Sequence, residues 1–217
     1  MKKTGMRKIV EKGYDEGDYE GHFRLGRVLN ERETRLFAKL TEKIPQGGKI
    51  LDLGSGTGIP YDHYLAESGY DVTGIDISGK HVAKASRNVP GARFVKADFT
   101  EYDLGAGFYD AIISLYSIFH VPREEHADLF RRMHLGLKPG GRILVTLGTA
   151  DMEMDVSEFV GSTMAWSSYS MEENIRIIQG AGFQLVAVEE EHEKANEHHL
   201  WILGEKVTHH NTCLKVA

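Results

Sequence analysis

Along most of this chain, apolar runs too short for helices alternate with segments of helical period, and few folds accommodate that order. Lys49-Ile50-Leu51-Asp52-Leu53, Asp71-Val72-Thr73-Gly74-Ile75-Asp76, Ala92-Arg93-Phe94-Val95-Lys96-Ala97, Asp110-Ala111-Ile112-Ile113-Ser114-Leu115 and residues 142–147 read as strands. Residues 61–68, 78–88 and 123–135 read as the helices between them, the last with Leu129, Phe130 and Met133 on one face. Strands that alternate with helices call for a parallel sheet with right-handed crossovers and helices on both faces, an α/β fold. A helix carrying Leu36, Phe37, Leu40 and Ile44 precedes the series and stops at Pro45-Gln46-Gly47-Gly48. The end of the chain departs from the pattern. Ser170-Met171-Glu172-Glu173 is a capping box that opens a helix, and Gly180 and Gly182 close it. Residues 183–188 and 200–203 then read as strands joined by a polar segment, 189–199, too short to hold a crossover helix. The expected sheet has seven strands, mostly parallel, with an antiparallel hairpin at its end.

A chain of 217 residues has the length of one domain. The first thirty residues are polar with no sustained period, so 1–33 is expected to be a lid or a flexible segment, and 207–217 a tail. One cysteine, Cys213, forms no internal disulfide and suits a reducing compartment. Met1-Lys2-Lys3 is not followed by an apolar signal core, so the expected location is the cytoplasm. Asp and Glu exceed Lys and Arg by 32 to 26, a net charge of −6, which lacks the basic footprint of a nucleic-acid binder. The longest apolar stretch, residues 111–121, falls short of a membrane span.

Gly54-Ser55-Gly56-Thr57-Gly58 follows the first strand and opens a helix. Glycines there permit positive φ and a close approach of backbone to ligand. The dinucleotide spacing Gly-x-Gly-x-x-Gly is broken, because Ile59 stands where its third glycine belongs. Asp52, just before the loop, suits a cationic ammonium better than a pyrophosphate. Asp76 ends the second strand, where a carboxylate can accept from both hydroxyls of a ribose. Asp98 ends the third strand and can accept from an adenine amino group, with Phe99 packed near the ring.

These segments, together with Leu137-Lys138-Pro139-Gly140-Gly141, resemble the successive motifs of class I S-adenosylmethionine-dependent methyltransferases. The resemblance covers about residues 34–206, the expected methyltransferase domain, and implies a Rossmann-like seven-stranded sheet. It also implies S-adenosyl-L-methionine as cofactor, with S-adenosyl-L-homocysteine as product. Asp52, Gly54 and Gly56 are expected at the methionine, Asp76 at the ribose, Asp98 and Phe99 at the adenine, and Ser114 and Leu115 beside the sulfonium, with Ser55, Gly58 and Ile77 also among the cofactor-binding residues. Phe119-His120-Val121 is similar to the small-molecule branch. Ser114-Leu115-Tyr116-Ser117 stands where amino-methylating nucleic-acid enzymes of the family carry Asn-Pro-Pro-Tyr or Asp-Pro-Pro-Tyr.

Methyl transfer needs an aligned nucleophile and, for oxygen or ammonium acceptors, a base. His120, just past the fourth strand, is the candidate base, ahead of Ser117 and Tyr116. Tyr19, Tyr116, Trp166 and Tyr169 are the candidate substrate walls, and Tyr14-Asp15-Glu16-Gly17-Asp18-Tyr19 reads as a cover for the cofactor. His192, His198, His199, His209 and His210 lack the spacing of a metal site, so no metal is expected. A non-catalytic S-adenosylmethionine-binding sensor or assembly protein is the alternative. A nicotinamide-dependent oxidoreductase fits less well, because of the glycine spacing.

Overall fold

The computed structural model describes residues 2–24, 26–194 and 197–207. Strand β1 (Lys49–Leu53) lies in the interior of the sheet, flanked in parallel by β2 (Asp71–Asp76) and β4 (Tyr109–Ser114). The order across the sheet is β3-β2-β1-β4-β5-β9-β8, with β3 at Arg93–Lys96, β5 at Leu137–Gly148, β8 at Phe183–Lys194 and β9 at Glu197–Lys206. Only β9 runs antiparallel to β5, and β8 pairs back onto β9, as the hairpin pattern requires. The period-2 alternation of side chains sends Leu51, Leu53, Ile112, Ile143 and Ile202 into one core and Ile50, Ala111, Ile113, Leu144 and Trp201 into the other. Helices α6 (His126–Gly136) and α7 (Met171–Gly180) cover the first face; α3 (Glu31–Thr41) and α4 (Tyr61–Glu67) cover the second.

Local sequence sets the helix starts. Asn30 and Glu33 form a reciprocal capping box at α3, and Ser78 accepts from the His81 amide at the start of α5 (Gly79–Asn88). Ser170 caps α7 through the Glu173 amide.

Three segments differ from the sequence reading. The N-terminal stretch is helical: α1 spans Lys2–Glu16 and α2 spans Tyr19–Phe23. Met6, Val10 and Gly13 recur at helical spacing, but the stripe is hidden because its third member is a glycine. A Cβ at Gly13 would lie 2.7 Å from the Thr163 carbonyl oxygen, so glycine lets α1 lie directly on the neighbouring strand. That strand belongs to a ribbon absent from the sequence reading, β6 (Met152–Phe159) and β7 (Ser162–Ser168), paired antiparallel. Val160 and Gly161 turn it with φ of 45° and 81°, the backbone of a tight hairpin. Finally, residues 189–199 are not a connector. Within that stretch β8 runs on to Lys194 and β9 begins at Glu197, and Glu191 pairs with His199. Positions 208–217, with Cys213, His209 and His210, lie outside the described residues.

Candidate functional site

The parallel strands all end on one edge of the sheet, and the loop after β1 lies there. Gly54, Gly56 and Gly58 have φ of 87°, 56° and 78°. A Cβ on Gly54 would fall 2.4 Å from the Ser117 Cβ, whereas one on Gly56 meets nothing within 4 Å. The loop is pinned from the next strand: Gly54 and Ser55 amides donate to the Ile75 carbonyl, and the Gly56 amide donates to Asp76 Oδ2 at 2.8 Å. Asp76 Oδ1 accepts from the Ser78 amide at 2.8 Å.

Asp52 is buried under the loop, and its Oδ1 has no hydrogen-bond partner. Burial raises its pKa to about 7; Asp62 and Arg24 beside it pull downward, and Asp76 pushes up. Asp62 is fully buried beside Asp52, and burial, the Asp52 charge and a hydrogen bond shared between the two carboxyls push its pKa well up. Arg24 is buried too, its guanidinium about 5.1 Å from the centre of the Tyr19 ring and 5.4 Å from that of Tyr61, with Nη2 donating to the Tyr19 hydroxyl at 2.6 Å. Among the described residues, no carboxylate lies within ion-pair distance of it.

Two cavities meet above this edge. A small one, about 50 Å³, is lined by Gly54, Gly56, Asp76, Ile77, Phe99 and Leu115, with Val10 and Tyr14 of α1 on its far side. A larger one, about 820 Å³, lies between α2, the ribbon and the end of the hairpin, with Phe23, Phe119, Phe159 and Trp166 among its walls. Tyr14, Tyr19, Arg24, Tyr116 and His120 line both.

His120 stands on a 3-10 turn, Ile118–His120. Nδ1 lies 2.7 Å from the Ala165 carbonyl, which can only accept, so Nδ1 carries the proton. Nε2 therefore accepts from the Tyr14 hydroxyl at 2.8 Å. Burial lowers the pKa of His120 to about 4, against the opposing effects of the Ala165 bond and the Asp76 charge. Tyr116 has a φ of 56°, an uncommon value for a residue with a Cβ, and its amide donates to Thr146 Oγ1. Its hydroxyl donates to Glu191 at 3.0 Å.

Of the residues singled out from sequence, Gly54, Gly56, Asp76, Ile77, Phe99, Leu115, Ser117, Tyr19, Tyr116, Trp166 and His120 converge on the cavities. Asp52, Ser55, Gly58 and Ser114 line neither; Asp52 lies beneath the loop, and the Ser114 hydroxyl donates to the Leu53 carbonyl inside the sheet. Asp98 also lies off both walls, held 2.6 Å from Arg7 of α1 and accepting from Thr100. Tyr169 packs away from the cavities, under the Arg123 guanidinium and beside His126. Sequence reasoning missed Arg24, Asp62 and Glu191, and weighed His199 only as a metal ligand. The signal for Arg24 was a cation in an N-terminal segment rich in tyrosine.

Residues 50–141 match the family model described as a methyltransferase domain. An S-adenosyl-L-methionine-dependent Diels-Alderase, iliD, of Neonectria sp. (strain DH2) is 38% identical over 131 residues, 60% of this chain and 50% of that protein. Phosphoethanolamine N-methyltransferase 3 of Arabidopsis thaliana is 36% identical over 118 residues, 52% of this chain and 23% of that one. The chain thus spans half or less of the length of these two relatives. The fold is shared with the crystal structure of Burkholderia thailandensis 1,6-didemethyltoxoflavin-N1-methyltransferase, which holds 1,6-didemethyltoxoflavin and S-adenosylhomocysteine. That match has a TM-score of 0.63 and 21% identity, and covers 80% of this chain and 77% of that one. Sheet order, glycine loop and the family match over residues 50–141 together make the chain similar to S-adenosylmethionine-dependent methyltransferase domains. Among the described residues no helix is long and apolar enough to cross a membrane.

Proposed function

We propose that the protein transfers a methyl group from S-adenosylmethionine to a small molecule held in the larger cavity. The observation that carries this reading is the shared wall. A cradle with the chemistry of the cofactor opens directly onto an aromatic chamber, across Tyr14, Tyr19, Arg24, Tyr116 and His120.

The residues present fit the cofactor. Asp52 offers a buried, unpartnered carboxylate oxygen to an α-ammonium, and Arg24 offers a buried guanidinium to the adjoining carboxylate. Asp76, with both oxygens already oriented by backbone amides, accepts from ribose hydroxyls. Gly56, open where a Cβ would be, allows close approach. Ile77, Phe99 and Leu115 wall the site, while Ser55, Gly58, Asp98 and Ser114 support it from behind. When bound, S-adenosylmethionine supplies an electrophilic methyl on a sulfonium. A cavity of about 50 Å³ is far below the roughly 300–1,000 Å³ of sites for ligands of this size. The α1–α2 segment is therefore a lid that moves aside for entry and closes through the Tyr14–His120 bond. With its lone pair engaged by Tyr14, His120 is a positioning residue in the closed form.

The larger cavity, about 820 Å³, suits a small acceptor with a flat or apolar body against Tyr19, Phe159 and Trp166. The net charge of −6 favours such an acceptor over nucleic acid, and the lone cysteine fits the cytoplasm. A second reading has one observation behind it: the Neonectria relative is named for a cycloaddition, which transfers no methyl. Mass spectrometry decides between the two. Incubation with S-adenosylmethionine and phosphoethanolamine, unsubstituted phenol or thiophenol is expected to give S-adenosylhomocysteine and a product about 14 mass units heavier, the gain of one CH₂ as methyl replaces the acceptor's proton. Cofactor bound but never consumed favours the second reading.

A further inference from the structure

The wall of the larger cavity opposite the lid carries an imidazole that the account above leaves without a task. His199 on β9 lines that cavity. Its Nδ1 lies 3.4 Å from Oε2 of Glu191 on β8, the residue directly across the hairpin. Among the described residues its Nε2 takes no hydrogen bond. Phe119 and Tyr116 pack against the ring, the latter edge-on at 4.9 Å between centroids.

Glu191 is built as a fixed carboxylate. It is 2% exposed and accepts from the Tyr116 hydroxyl at 3.0 Å, the Trp201 indole at 2.9 Å and Arg32 at 2.9 Å. Burial alone would raise its pKa; the bonds from His199, Trp201 and Tyr116 outweigh this and lower it to about 2. An ionised carboxylate in front of Nδ1 holds the proton of a neutral imidazole on that nitrogen and leaves the Nε2 lone pair for the cavity. It also stabilises the imidazolium once a second proton arrives. Such a carboxylate–imidazole pair is a recurrent way of preparing a base. His120 lacks this freedom, because both of its nitrogens are bonded.

We propose that His199, oriented by Glu191, is the base that takes the proton from an amine or hydroxyl acceptor in the larger cavity. This rests on the methyl-transfer reading. As the acceptor's lone pair forms its bond to the methyl carbon, the carbon–sulfur pair leaves with sulfur as a neutral thioether. The acceptor's proton passes to Nε2, and the imidazolium returns it to solvent after product release. His199 is the catalytic residue and Glu191 the positioning residue. The acceptor is thereby an amine, phenol or alcohol that carries its proton into the site, since a thiol ionises without such help.

The first test needs no acceptor. In protein labelled with ¹⁵N-histidine, neutral His199 is expected as the Nδ1–H tautomer, and Glu191→Gln is expected to abolish that single form. A neutral Nε2–H tautomer would leave no lone pair toward the cavity and would overturn the proposal. In kinetics, His199→Asn is expected to bind S-adenosylhomocysteine like the parent and to lower methylation of phosphoethanolamine or unsubstituted phenol by about 100-fold or more, sparing thiophenol. Equal losses with all three acceptors, or loss of S-adenosylhomocysteine binding in the variant, would assign His199 a structural role and overturn it. If the parent protein itself fails to bind S-adenosylhomocysteine, the methyl-transfer reading fails instead.

Discussion

Asp52 combines burial, an unbonded oxygen and a pKa near 7, and that combination has a measurable consequence for the cofactor. Its folded-state pKa is raised, so the carboxyl holds its proton up to about neutrality, and only the ionised form attracts an ammonium. Affinity for S-adenosylhomocysteine is expected to be flat above about pH 8 and to fall roughly tenfold by pH 6. Calorimetry across that range checks it; a flat profile, or tighter binding in acid, would place the ammonium elsewhere. Tyr14 and His120 allow a different check. Removing either partner strands a buried polar atom, at a cost of about 1–3 kcal/mol. Tyr14→Phe and His120→Ala are expected to be strongly non-additive in denaturant unfolding, with a coupling of about 1 kcal/mol or more. Full additivity would mean that the 2.8 Å contact contributes nothing to holding α1 over the site.

Helix α1 and the long hairpin are the two elements on which the sequence was least legible, and for different reasons. In α1 the buried stripe includes Gly13, which supplies no hydrophobic signal but sets the distance to β7. Gly13→Val is expected to lift α1 from the ribbon, so that its amides lose hydrogen-exchange protection while those of β1 and β4 keep theirs. Unchanged protection in α1 would show that the close approach is dispensable. In the hairpin, residues 189–199 are rich in glutamate and histidine and read as a loop, because a strand face that holds ion pairs lacks alternating apolar residues. Arg32 and Arg35 of α3 reach across to Glu191 and Glu189, long-range pairs with no local signature. The same polarity that hid the strands placed Glu191 opposite His199. By contrast, α5 and α7 were legible almost to the residue, since Ser78 and Ser170 mark their starts by side-chain chemistry that acts within one turn.

The molecule as a whole places its site where open α/β sheets place theirs, beyond the carboxyl ends of the strands. That much was readable in advance, because Gly54, Asp76 and Leu115 lie within a few residues of the strands that position them. The larger cavity was not, because it is assembled from α2, the β6–β7 ribbon and the stretch of hairpin around Glu191 and His199, segments brought together by tertiary contact. Trp166 is a wall of it, whereas Tyr169, three residues on, faces Arg123 instead. The whole reading depends on one binding site at the glycine loop. Titration of S-adenosylhomocysteine into the parent protein and into Asp76→Ala, with NAD as the control, bears on it without any knowledge of the acceptor. Binding by the parent, none for NAD, and a loss of about 100-fold or more in the variant are expected, because Asp76 contributes charge-assisted hydrogen bonds of roughly 1.5–3 kcal/mol each. Equal affinity in the two proteins, or no binding to either, would contradict a cofactor site built on Asp76 and the glycine loop.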